Sequence, residues 1–266
     1  MITLPIGLCW PSVKLERIDD YQSWRFWAGD LRVVVDPWLT PRFEIGPKGI
    51  ILSREHGDAP EHAPERPPEC DLLVLTAPFA DHFNPETLRG FDRGTPVLAS
   101  GPAARRMRRL GFSKVEVFRP DRTLDMAGAE IRGVRSGFPY GGNSSGFVLR
   151  EKSSGRSLYF EPHVVDPRRE ELPDEVDAIV MPVERVRLLG VPFAMGPVRA
   201  AAAAARVNAR FIVPTGTHPE RNEGLLARFL LRIDGGLEDL RRGLDALERG
   251  ASELLALPSN ALRELG

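Results

Sequence analysis

The alternation of apolar and polar residues changes period several times along the chain, and each period predicts a different element. Trp24-Arg-Phe-Trp27 and Leu31-Arg-Val-Val-Val35 are rich in aromatic and β-branched residues, flank the breaker Gly29-Asp30, and predict a hairpin. Asp71-Leu-Leu-Val-Leu75 is a short unbroken apolar run and predicts a buried strand. A helix start at Pro85, a strand over 96–99, a helix over 102–110 and a strand over 115–118 follow. The middle changes to the spacing of antiparallel hairpins, with strands expected over 130–134, 146–149 and 157–160 between Gly- and Ser-rich turns. Strand and helix then alternate again: a strand over 178–181, a helix over 198–205 with Pro197 near its start, and a strand over 211–213. Helices over 224–231 and 237–247 and a last strand over 254–257 complete the pattern. Residues 41–68, rich in Pro, Gly and charge, are expected to form a surface loop or excursion.

Composition narrows the class. A chain of 266 residues with 42% hydrophobic and 27% charged residues suits one large α/β domain spanning 1–266. The formal net charge of −1 supplies no global attraction to nucleic acid or anionic membranes. The densest basic cluster, Arg105, Arg106, Arg108 and Arg109, lacks interleaved aromatic residues and is expected to be a solvated helix face. No stretch has the apolar length needed to cross a bilayer, and the N-terminus does not read as a secretory leader. Cys9 and Cys70 share no metal or redox spacing and are expected as free thiols, so a cytoplasmic location is expected.

Candidate chemistry gathers where the strand over 71–75 runs into Thr76-Ala-Pro-Phe-Ala-Asp-His82. An apolar strand, a short loop ending in Asp-His and a Pro-Glu-Thr-Leu helix start together resemble the H-x-H-x-D-H region of metallo-β-lactamase-fold hydrolases. Val33-Val-Val-Asp-Pro-Trp-Leu39 upstream is similar to the Asp-Pro-Trp-Leu of the branch with lactonase- and phosphodiesterase-like members. Phe160-Glu-Pro-His163, Asp177-Ala-Ile-Val-Met-Pro182 and Ala209-Arg-Phe-Ile-Val-Pro214 follow in the order of that branch. The resemblance is strongest to a subgroup from plants and cyanobacteria with a degraded motif. It implies a four-layer αβ/βα sandwich.

The resemblance also implies how the chemistry has changed. In the family the first two histidines hold one metal, and the Asp and last His hold a second around an activated water. Those first two positions fall on Ala77 and Phe79, which have no lone pair to donate. At most one zinc, manganese or iron ion remains, on Asp81 and His82 with His163 and His218. Glu161 stands at the position of the family's bridging carboxylate. Asp81, His82, Glu161 and His163 are therefore the candidate catalytic residues, and Asp81, His82, His163 and His218 the candidate metal ligands.

Three readings follow. The first is a one-metal hydrolase of an ester, lactone or phosphodiester, and the second a non-catalytic protein that binds a small molecule or a partner without metal. The third is metal-free acid–base chemistry by Glu161, His163 and His82, which requires them to converge. Against all three stands a purely structural role, in which Asp81 caps the helix start and orients His82. His56 and His62, within the charged segment, are expected to be solvated. Gly141-Gly-Asn-Ser-Ser-Gly146 lacks the Lys of a phosphate loop and is expected as a flexible turn at the mouth of the site. Trp24, Trp27 and Trp38 are expected in the core or as a pocket wall.

Overall fold

The computed structural model describes residues 12–58, 60, 62–216, 221–246 and 252–265. Two seven-stranded sheets stack face to face. The first runs, in spatial order, Leu262–Leu265, Val13–Arg17, Trp24–Ala28, Leu31–Val35, Leu72–Leu75, Val97–Ala99 and Val115–Val117. The second runs Glu253–Leu254, Ala209–Thr215, Val176–Pro182, Ser157–Phe160, Ser145–Glu151, Ala129–Arg135 and Thr123–Met126. Each sheet mixes antiparallel neighbours with parallel ones joined by longer crossovers, for instance Leu31–Val35 beside Leu72–Leu75 and Val176–Pro182 beside Ala209–Thr215.

The period of two in a strand explains the layering. Val33 and Val35 point into the core between the sheets, where they meet Phe26, Phe147 and Phe160, whereas Val34 points outward. Outside the first sheet, Val34, Leu73, Leu75 and Ala99 pack against Ala103, Ala104 and Met107 of the helix Gly101–Arg109. The second sheet repeats the arrangement: Ala178 and Val180 face inward, while Ile179, Met181 and Ile212 meet Ala200 and Ala204 of the helix Pro197–Arg206 and Leu240 of the helix Leu237–Ala246. The result is the expected helix–sheet–sheet–helix sandwich. No helix among the described residues is long and apolar enough to cross a membrane.

Several local expectations need correction. Residues 41–68 carry a hairpin, Arg42–Ile45 with Leu52–Glu55, and its second strand also pairs with Arg221–Glu223 to make a small sheet. Its own side chains are too polar to signal a strand, and pairing across the sequence stabilises it. The segment 224–231 ends in a single π-type turn, Leu226–Leu230, and continues as the strand Leu231–Asp234 rather than as a helix, because that strand pairs with Arg185–Leu188. His56 is buried, with Nδ1 2.5 Å from Asp20 Oδ1 and its ring tilted against that of Trp38, centroids 3.8 Å apart. Its neighbour Arg54 turns to Tyr21 and Asp81, and the distant Trp38 and Asp20 shield His56 from water. His62 is half-exposed.

Arg106 also departs from a solvated face, lying over the Phe83 ring at 4.2 Å and bonding the carbonyl of Pro78. Trp24 and Trp38 are fully buried, and Trp27 is covered by Arg25. Cys70 is a free thiol whose pKa burial pushes up to about 12, and Cys9 lies outside the described residues.

Candidate functional site

The site forms where strand ends from both sheets meet under the two small sheets. The strand Leu31–Val35 stops at Asp36, whose φ of 45° is left-handed, a conformation that Asp tolerates better than most residues. This turn swings the carboxylate over the end of Leu72–Leu75. There Oδ1 accepts from the Thr76 backbone N–H at 2.7 Å, and Oδ2 accepts from the Thr76 hydroxyl and from His82 Nδ1, the latter at 2.8 Å. His82 is thereby fixed by Asp36, not by Asp81. The helix start is capped by Asn84, whose Oδ1 accepts from Thr87 N at 2.9 Å. The capping role considered for Asp81 is therefore filled by its neighbour.

Asp81 has a different partner. Arg54 Nη1 donates to Asp81 Oδ2 at 3.0 Å and to Tyr21 Oη at 2.5 Å, while Tyr21 Oη donates to the same carboxylate oxygen at 3.2 Å. Burial raises the Asp81 pKa, but His82 and Arg54 outweigh it and bring it down to about 2. Burial likewise opposes charge on His82, yet the carboxylates of Asp81 and Asp36 hold its pKa above the ordinary value.

His163 faces His82, with ring centroids 4.5 Å apart, and stacks on Tyr140 at 3.7 Å. Burial and the adjacent His82 push its pKa well below the ordinary value, so it is neutral near pH 7. Its Nδ1 lies 2.9 Å from Ser144 Oγ.

Glu161 stands behind His163 and away from the cleft, fully buried. Its Oε1 accepts from Ser136 Oγ at 2.8 Å, His163 N at 3.0 Å and Val164 N at 3.1 Å, and its Oε2 accepts from Tyr159 Oη at 2.9 Å. Burial pushes its pKa up to about 7 against these donors. Asp81, His82 and His163 thus converge on one cleft and Glu161 supports it from behind, while His218 lies outside the described residues. Sequence reasoning missed Arg54, Tyr21, Asp36 and Ser136 and the role of Ser144; the local signals were the quoted Asp-Pro-Trp-Leu for Asp36 and the Gly- and Ser-rich turn over 141–146, placed at the mouth of the site, for Ser144.

Arg54, Asp81, His82 and His163 floor a cavity of about 250 Å³ with walls that include Leu52, Phe79, Tyr140, Val186, Phe193 and Leu226. Leu52 and Arg54 belong to the peripheral hairpin, and Val186 and Leu231 to the other small sheet, so part of the wall comes from segments the sequence did not mark.

Two stacked mixed sheets flanked by helices, with a cleft at the strand ends that holds Asp81 and His82, define the class as a metallo-β-lactamase-type fold. Residues 19–216 match the family described as "Beta-lactamase superfamily domain", and the chain belongs to that family. No curated protein matches the sequence.

Among solved structures, isothiocyanate hydrolase from Delia radicum gut bacteria is 17% identical, with 94% of this chain and 98% of that chain covered at a TM-score of 0.67. Igni18, a metallo hydrolase from the hyperthermophilic archaeon Ignicoccus hospitalis, is 14% identical, with 96% and 99% covered and a TM-score of 0.64. CmlA, a diiron β-hydroxylase from Streptomyces venezuelae, is 17% identical over 96% of this chain and 54% of that one, at a TM-score of 0.61. At these identities the likeness is one of fold.

The family implies a metal centre, and the described donors do not fit one. Ala77 and Phe79 offer no lone pair. Asp81 already carries a guanidinium, next to which a divalent ion meets like-charge repulsion. Among the described residues, no three His, Cys, Asp or Glu side chains form a metal-binding group.

Proposed function

We propose that this chain binds small, uncharged, mostly apolar acyl compounds and hydrolyses an ester or lactone bond without metal, with His163 as the base. The observation that carries the reading is the contact of Arg54 with Asp81, in which a guanidinium supplies the positive charge that a metal supplies elsewhere in the family. At the floor the Arg54 guanidinium is paired with the Asp81 carboxylate, and the walls are apolar, so a neutral ligand is favoured over a phosphodiester.

In the step proposed, a water loses a proton to His163 Nε2 as its oxygen bonds to the carbonyl carbon. The carbonyl electron pair moves onto oxygen, where the Nε2–H of a protonated His82, whose Nδ1 is held by Asp36, stabilises it. Collapse re-forms the carbonyl, breaks the ester C–O bond, and returns the proton from His163 to the leaving oxygen.

The test is metal analysis by mass spectrometry on untagged protein purified without chelators, together with turnover of short lactones and esters before and after chelator dialysis. Metal-free protein with unchanged turnover supports the reading. Stoichiometric metal that disappears in an Asp81→Ala/His82→Ala variant replaces it with a one-metal hydrolase. Metal-free protein that binds these compounds but does not turn them over leaves a non-catalytic binding protein.

A further inference from the structure

Glu161, Ser136, Ser144 and His163 form an unbroken hydrogen-bonded chain that ends at the cleft. Ser136 Oγ lies 2.8 Å from Glu161 Oε1 and 3.0 Å from Ser144 Oγ, and Ser144 Oγ lies 2.9 Å from His163 Nδ1. All four residues are buried, so no bulk water competes for these bonds.

The direction of every bond follows from a count of protons. Glu161 Oε1 already receives the backbone N–H groups of His163 and Val164, which can only donate, so this oxygen is an acceptor. The single Ser136 hydroxyl proton is therefore committed to Glu161. Ser136 can then meet Ser144 only by accepting, which commits the Ser144 proton to Ser136. Ser144 in turn can meet His163 Nδ1 only by accepting, so Nδ1 carries the hydrogen. The opposite polarity would set two hydroxyl oxygens lone pair to lone pair at 3.0 Å in a dry site.

The polarity of the chain is the same for either charge state of Glu161. If the carboxyl is protonated, its hydrogen sits on Oε2, where Tyr159 Oη can accept it, and Oε1 remains an acceptor.

We infer that the chain Glu161–Ser136–Ser144 locks His163 in the tautomer with hydrogen on Nδ1, so that the lone pair of Nε2 faces the cleft and the cleft takes ligands that donate a hydrogen there. Ser136, Ser144 and Glu161 are positioning residues, and none of them touches the ligand. The inference deepens the hydrolytic reading by requiring a donor, such as the attacking water, at His163. The tautomer itself holds whether or not turnover occurs.

The test is nitrogen NMR of full-length protein carrying 15N-labelled histidine near neutral pH, with the His163 signals assigned by a His163→Gln variant. The expected result is a hydrogen on Nδ1 and a bare Nε2 in the native protein. Glu161→Gln keeps an amide oxygen facing Ser136 and is expected to preserve that state. Ser144→Ala removes the acceptor and is expected to give a tautomer mixture, with a tenfold or larger loss of kcat and little change in KM, on the order of one lost hydrogen bond.

A native His163 with hydrogen on Nε2, or a cationic one, overturns the inference. So does an unchanged tautomer in folded Ser144→Ala, with folding checked by circular dichroism. If Ser144→Ala does not fold, loss of the native tautomer in Glu161→Gln overturns the inference, and its retention supports it. Full turnover by His163→Gln, with the tautomer pattern as expected, removes the hydrolytic role and leaves the positioning chain standing.

Discussion

Arg54 and Asp81 meet at 3.0 Å although one lies on a peripheral hairpin and the other on a loop of the main sandwich. The pair joins wall to floor. Its guanidinium is buried and also bonds Tyr21 and Asn222, so the contact is held from several sides.

Removing one partner leaves a charge without compensation. Arg54→Met is expected to lower stability by about 3 kcal/mol, the low end for a broken buried pair because 21% of the Asp81 side chain is exposed. Arg54→Met/Asp81→Leu should recover much of that loss. Urea denaturation of the wild type, both single variants and the double variant measures the coupling.

The buried His56 and Asp20 pair predicts a pH dependence away from the cleft. Burial lowers the His56 pKa, but the Asp20 hydrogen bond and the charges of Asp19 and Asp20 outweigh it and leave it above the ordinary 6.5. Its contribution to stability is therefore complete below pH 6.5 and is lost as pH rises through the folded-state value. Burial opposes ionisation of Asp20, but hydrogen bonds from His56, Asp58 and Gly57 leave its pKa below 3.8, so its contribution is present above 3.8 and is lost as pH falls through the folded-state value. Melting curves of wild type and His56→Gln should differ most between these limits and converge above them.

The aromatic packing between the sheets gives a prediction about the fold itself. Phe160 is fully buried, 5.5 Å from Phe147 and 5.9 Å from Phe26 between ring centroids. Phe160→Ala is expected to cost about 3–5 kcal/mol through lost burial and the cavity left behind. Phe160→Leu should cost less, and chemical denaturation distinguishes the two.

Asn84 caps its short helix and also donates from Nδ2 to Thr40 Oγ1 at 2.9 Å. Asn84→Ala is expected to lower stability by about 1–2 kcal/mol, with Asn84→Asp retaining the cap but losing the donor to Thr40. Thermal unfolding of the three proteins checks the order.

The sequence made the sandwich legible because its strands carry their own signals. The alternation in Trp24–Ala28 and the apolar runs Leu72–Leu75 and Val176–Pro182 declare burial without knowledge of their partners. The hairpin Arg42–Ile45 with Leu52–Glu55 carries a weaker signal: Arg42-Phe-Glu-Ile45 alternates over only four residues amid Pro, Gly and charge, and Leu52-Ser-Arg-Glu55 does not alternate. Arg54 could not be recognised as a site residue because its partner Asp81 is distant in sequence and the contact exists only after folding. The same cause hid His56, whose burial depends on Trp38 and Asp20. Asp81, His82 and His163 were legible because they fall in a known order after recognisable strands. Glu161 was legible in position but not in orientation, for its neighbour His163 supplies a backbone donor that turns the carboxylate away from the cleft.

The cation beside Asp81 is covalently part of the chain, delivered at translation in a fixed ratio of one to one. It cannot be chelated, exchanged for a competing ion, or left out when the surroundings run short of metal. The charge at this position is thus inherited with the gene and independent of the cell's supply of transition elements.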